Sequence, residues 1–126
     1  MAMTPNLLLV SDRIDDRALV ADALRSVWAI THTTGLAAAG DVLAQAPCDA
    51  VLCDAAIADI SIKALLVSVV AQRPATPVIV IADRVGPEAA VDLVHAGASD
   101  VVLRANLSRR LPLVLDRVRS AADRSA

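Results

Sequence analysis

Ala50-Val-Leu-Cys-Asp54 decides the reading of this chain: four apolar residues in a row, ending on a carboxylate. A continuous apolar run suits a strand buried on both faces, as in a parallel sheet covered by helices; a half-exposed strand would alternate instead. The same design appears on either side of it. Asn6-Leu-Leu-Leu-Val-Ser11 lies upstream, and Val78-Ile-Val-Ile-Ala82 and Val101-Val-Leu103 lie downstream. Trp28 to Thr34 is a more polar strand candidate, suited to a sheet edge.

Helical patterns fill the gaps. Ile14, Ala18, Ala21, Leu24 and Val27 recur at three- and four-residue steps, which predicts a helix with these residues inward. Arg13, Asp15, Asp16, Asp22 and Arg25 are then its wet side. Leu36 to Ala46 closes at Pro47, and Ile60 to Gln72 closes before Pro74. Gly86-Pro87 opens a fourth helix and Gly97 ends it. Leu111, Val114, Val118 and Ala121 mark the last helix, capped by Asn106 or Ser108, with Pro112 in its first turn. Five βα units with short connections predict an open, doubly wound α/β sheet.

The bulk numbers agree with one soluble domain. The chain has 126 residues, 56 % of them hydrophobic. Its mean hydropathy is +0.59 and its pI about 5.5. A net charge of −2 and a single aromatic residue, Trp28, argue against a nucleic-acid binder. The greasiest stretch, Ile60 to Ala71, is too short to span a membrane and contains Lys63. The N-terminus lacks the pattern of a leader, so a cytoplasmic protein is expected. Cys48 and Cys53 fit no zinc or redox spacing and read as buried thiols.

In doubly wound sheets the site lies beyond the carboxyl ends of the strands. Those ends carry Ser11, Asp12 and Arg13, then Asp54 with Ala55 and Ala56. Ala82, Asp83 and Arg84 follow, and lastly Arg104. Two carboxylates, Asp12 and Asp54, ending neighbouring strands are costly unless a cation neutralises them. Mg²⁺ prefers such oxygen-rich sites, and a carboxylate beside it can accept a phosphoryl group. Aspartates also gather at strand ends as turn formers, and from the pattern alone the two readings weigh evenly. A nucleotide enzyme has little support: Ser11-Asp-Arg-Ile-Asp15 stands where a glycine-rich phosphate loop would be.

Four stretches tip the balance: Leu7-Leu-Leu-Val-Ser-Asp-Arg-Ile-Asp-Asp-Arg17, Cys48-Asp-Ala-Val-Leu-Cys-Asp54, Pro77-Val-Ile-Val-Ile-Ala82 and Ala96-Gly-Ala-Ser-Asp100. In this order and spacing the chain resembles a response-regulator receiver domain over 1–126, with a core of about 6–122. The resemblance implies a flavodoxin-like (βα)5 fold, strand order 2-1-3-4-5, in three α/β/α layers. It implies a non-enzymatic module of two-component signalling, a phosphorelay in which a histidine kinase or phosphotransfer protein donates phosphate to Asp54. Asp12, Asp54 and the main-chain carbonyl of Ala56 would hold Mg²⁺.

The departures fall on the phosphorylation apparatus. Ser11 replaces an acid of the metal pocket, and Ala82 replaces a Ser or Thr that hydrogen-bonds the phosphoryl group. Losing that bond costs about 1.5–3 kcal/mol. Arg104 replaces the usual Lys, Val101 the switch aromatic and Ala105 a proline. The expectation is a receiver of reduced or atypical competence. The alternative is a phosphorylation-independent pseudo-receiver that serves for dimerisation or docking. Asp83 reads as a solvent-facing loop residue.

Leu65, Leu66, Val67, Val69 and Val70 crowd the third helix, leaving a polar stripe of Ser61, Ser68 and Gln72. One reading is a homodimer contact; the other is cover by neighbouring helices. Arg109, Arg110, Arg117, Arg119 and Arg124, interleaved with Asp116 and Asp123, read as a solvated face. Arg104-Ala-Asn-Leu-Ser-Arg-Arg-Leu-Pro112 is similar to the end of receivers that precede signalling domains. The chain therefore reads either as a stand-alone receiver or as the N-terminal part of a longer protein with an output domain downstream.

Overall fold

The computed structural model describes residues 4–25, 27–56 and 62–125, with side chains through 118. Five strands form one parallel sheet in the order 2-1-3-4-5. They are β1 (Asn6–Val10), β2 (Ala29–Thr33), β3 (Ala50–Asp54), β4 (Val78–Ala82) and β5 (Asp100–Leu103). The helices between and after them are α1 (Asp16–Ala23), α2 (Leu36–Gln45), α3 (Ile62–Gln72), α4 (Pro87–Ala96) and α5 (Leu107–Ser125). A 3-10 turn, Arg104–Asn106, leads into α5. No helix of the described residues is long and apolar enough to cross a membrane.

The continuous apolar runs are explained by two cores, one on each face. Leu7, Leu9, Leu52, Ile79 and Ile81 pack with Val20 of α1, Leu24 just after it, and Leu107, Leu111 and Leu115 of α5. The alternate residues Leu8, Val10, Val51, Cys53, Val78 and Val80 pack with Leu43 of α2, Leu65, Leu66 and Val69 of α3 and Leu93 of α4. Every residue of β3 and β4 is buried, while β2, the polar strand, lies at the edge as its composition predicts. This period of two has a consequence for the site. Asp54, two residues beyond Leu52, projects toward the α1 and α5 side.

Three local readings are corrected. The inward face of α1 is Asp16, Val20 and Ala23, followed by Leu24. Ile14 and Val27 are 90 % and 60 % exposed because both lie outside the helix, so a phase that counts them is set wrongly. Pro112 sits in the second turn of α5, since the helix already starts at Leu107. There it omits one rung of the hydrogen-bond ladder. In α3, Val67 and Val70 face outward while Leu65, Leu66 and Val69 are buried, so its outer face is less polar than a stripe of Ser and Gln. Ser61 and the side chains of Arg119, Asp123 and Arg124 lie outside the described residues.

Gly86 and Gly97 bracket α4 as predicted. Gly97 has φ +126°, and a Cβ there would lie 3.0 Å from Val70 Cγ2. Both the backbone and the helix neighbour therefore require glycine.

Candidate functional site

The carboxyl ends of β1, β3 and β4 and the 3-10 turn after β5 converge on Asp54. Its side chain is 1 % exposed. Oδ1 accepts the N–H of Ala56 at 3.0 Å, a turn closed by the aspartate itself. Oδ2 faces two guanidiniums: Arg104 Nη2 at 3.0 Å and Arg13 Nε at 3.5 Å. Neither Asp54 Oδ2 nor Arg104 Nη2 has a hydrogen-bond partner, although both are buried. They are in ionic contact without the alignment of a hydrogen bond.

Arg104 reaches three carboxylates with three different nitrogens. Nη1 pairs with Asp16 Oδ1, Nη2 contacts Asp54 Oδ2, and Nε donates to Asp83 Oδ1 at 2.8 Å. A planar fork spreads its donors over three nitrogens, one toward each acid, whereas an ammonium would bring all three acids to one atom. Arg13 closes the figure. Its Nη2 lies 2.5 Å from Asp83 Oδ2 and its Nε lies near Asp54. Arg13, Asp54, Arg104 and Asp83 thus form a ring of alternating charge. Asp83, hydrogen-bonded by Arg104 and then by Arg13, has its carboxyl held below the usual range. The same pairing with Asp83 raises the Arg13 guanidinium further above its usual value.

Asp16 is the buried appendix of this ring. It opens α1 at 3 % exposure, where the helix N-terminus favours a negative charge. Ser11 is wholly buried; its hydroxyl donates to Asp16 Oδ2 at 2.5 Å and accepts the N–H of Arg13 at 3.1 Å. His32 on β2 supports the same corner, with Nε2 2.8 Å from the carbonyl of Ser11. The Ser11 hydroxyl therefore serves an acid five residues on.

The structure brings Ser11, Asp54 and Arg104 together and adds Arg13, Asp16 and Asp83. Asp12, next to Ser11, is exposed. Ala56 enters through its N–H. Ala82 is 4 % exposed and lines a separate cavity of about 320 Å³ with Ala55, Val85, Ala89 and Leu93. Asp16 was hidden from sequence reading because an aspartate beside Asp15 and Arg17 defaults to solvent. Arg13 and Asp83 were visible only as strand-end residues without partners.

These groups fit Mg²⁺ poorly as they stand. The ion demands oxygen donors at about 2.0–2.1 Å in octahedral array. Asp54 Oδ2 already has nitrogen cations on two sides, and the Ser11 hydroxyl proton is directed at Asp16. Unit charges 4 Å apart interact by about 4 kcal/mol at an effective dielectric of 20, so a dication beside Arg104 would meet roughly twice that in repulsion. A divalent ion on this oxygen would have to displace a guanidinium. Among the described residues, no three His, Cys, Asp or Glu side chains converge on a metal position.

Comparison with solved structures agrees with this architecture. A response regulator receiver domain protein (CheY-like) from Methanospirillum hungatei superposes with TM-score 0.88 at 15 % identity, over 98 % of this chain and 100 % of that one. The chain has the receiver-domain fold. The signal receiver domain of an HD domain-containing protein from Pseudomonas fluorescens gives TM-score 0.85 at 17 % identity, over 96 % and 98 % of the two chains. NtrX from Brucella abortus gives 0.87 at 25 % identity, over 98 % of this chain but only 28 % of NtrX. Within NtrX the receiver fold is thus one part of a longer protein. No protein-family model matches the sequence, and no curated protein does.

Proposed function

We propose that the chain is a receiver module of two-component signalling, with Asp54 as its phosphoacceptor position and an ionic cover that makes transfer slow. The observation that carries this reading is Asp54 itself. It ends the central strand of a receiver fold, and its Oδ2 is the carboxylate oxygen without a hydrogen bond. In transfer from a phosphohistidine, Oδ2 would attack phosphorus as the N–P bond breaks, leaving neutral imidazole once a proton is returned and an acyl phosphate on Asp54.

Two features slow this step. Arg104 and Arg13 stand over the attacking oxygen and must shift to admit a donor. Ala82 offers no hydroxyl to the arriving phosphoryl oxygens. The guanidiniums, once moved, are well suited to bind those oxygens. The partner is then a histidine kinase or a phosphotransfer protein in the cytoplasm, with an output domain as the next element of the pathway.

Incubation with acetyl phosphate, followed by intact-mass measurement, tests this reading. Slow gain of one phosphoryl group, abolished in Asp54→Asn, is the expected result. No gain over a long incubation would sink it.

The closed ring favours a second reading, a docking module that works without phosphate. In that case Asp54→Asn leaves partner binding and oligomeric state unchanged. A homodimer through α3 would rest on Val67 and Val70, 62 % and 43 % exposed, since Leu65, Leu66 and Val69 are buried. Ultracentrifugation showing a phosphate-dependent shift in mass would count against the phosphate-free reading.

A further inference from the structure

We propose that Arg13 and Arg104 are the resident counter-ions of the Asp54 pocket, and that they exclude divalent cations from it. The inference concerns the charge of the pocket and stands whether or not Asp54 accepts phosphate.

Two buried carboxylates, Asp16 and Asp54, and the exposed Asp83 meet here with two guanidiniums. The cluster is therefore left with one net negative charge, little inducement for a dication. Location matters more than the sum. Arg104 lies between all three acids, 15 % exposed, and Arg13 approaches Asp54 Oδ2 from the β1–α1 loop. The oxygen that a metal would use is the one they flank. Ser11, the buried hydroxyl at the end of β1, is consumed by Asp16 and by the Arg13 backbone.

The ring also ties together the segments that follow four adjacent strands of the sheet. It joins the β1–α1 loop, the end of β3, the residue after β4 and the turn after β5. A metal ion would bridge the same segments through carboxylates; here the bridge is made by side chains of the chain itself.

Mn²⁺ is a suitable probe, because its unpaired electrons broaden nearby NMR signals. In the unmodified chain, titration should leave the amide signals of Asp54 and Ala55 no more affected than those of surface aspartates. Arg104→Met should broaden them selectively, with Mn²⁺ affinity raised about tenfold or more as the repelling charge is lost. Should Arg104→Met prove unfolded by circular dichroism, Arg13→Gln, at a side chain 43 % exposed, must show the same gain. Saturable, selective broadening around Asp54 in the unmodified chain would overturn the proposal. So would a folded variant with no gain in affinity.

Discussion

Arg104 and Asp16 join two residues 88 positions apart, Nη1 to Oδ1, inside a corner that is almost closed to water. Breaking a buried ion pair from one side strands the other charge, at a cost of about 3–5 kcal/mol. Arg104→Ala strands Asp16 and Asp54 together, so a loss in that range is expected in urea unfolding. Arg104→Lys keeps the charge but loses the fork, and should lose only about 1–2 kcal/mol. Equal stability of all three proteins would show the network to be energetically idle.

Asp83 sets an acid limit on the ring. Its folded carboxyl titrates below the usual value because Arg104 and Arg13 hydrogen-bond it. A depressed folded value means stability that is present above the unfolded value of 3.8 and lost as pH falls through the folded one. Asp83→Asn should therefore flatten the acid limb of a stability–pH curve below about pH 4. Because Asp83 and Arg13 are both near half exposed, high salt should shrink the difference between the proteins.

The two thiols should behave differently. Burial, and then the nearby Asp54 charge, push Cys53 up to about 12, while Cys48 is raised by burial but is only partly covered. Iodoacetamide at mildly alkaline pH should modify Cys48 slowly and leave Cys53 intact until the protein is denatured. The raised value also has a sign: the folded state keeps its proton longer. Stability is therefore present below the ordinary value of 9.0 and lost as pH climbs toward about 12. Native labelling of Cys53 as fast as of Cys48 would contradict this burial.

Gly97→Ala should cost about 1–3 kcal/mol, from a left-handed backbone position together with a crowded Cβ. Val70→Ala in the same chain removes the 3.0 Å contact but leaves the backbone strain. It should recover part of the loss in thermal unfolding. Full recovery would mean that the contact alone requires glycine.

Strands were legible because burial on both faces leaves so little freedom of composition. Ala50-Val-Leu-Cys-Asp54 and Val78-Ile-Val-Ile-Ala82 could scarcely be anything else, and each is a buried strand. Asp54 was legible for the same reason, as the first carboxylate after such a run. The α1 face was not legible. Helical periodicity ranks residues by polarity, and Asp16 is the polar residue that goes inward, beneath a cation supplied from the other end of the chain. Arg13 and Asp83 were opaque in the same way. Each is a loop residue whose partner lies 70 positions away, and no local pattern encodes that pairing.

That long span also bears on the order of events during synthesis. The chain emerges from its N-terminus, so Ser11, Asp16, Asp54 and Asp83 are all made before Arg104. Until the fifth strand is added, the nascent protein must hold Asp16 and Asp54 with Arg13 as the sole cation of the ring. Arg104 thus arrives as a late fastener. The corner is sealed only once Arg104 has been made and joins Asp16 and Asp54.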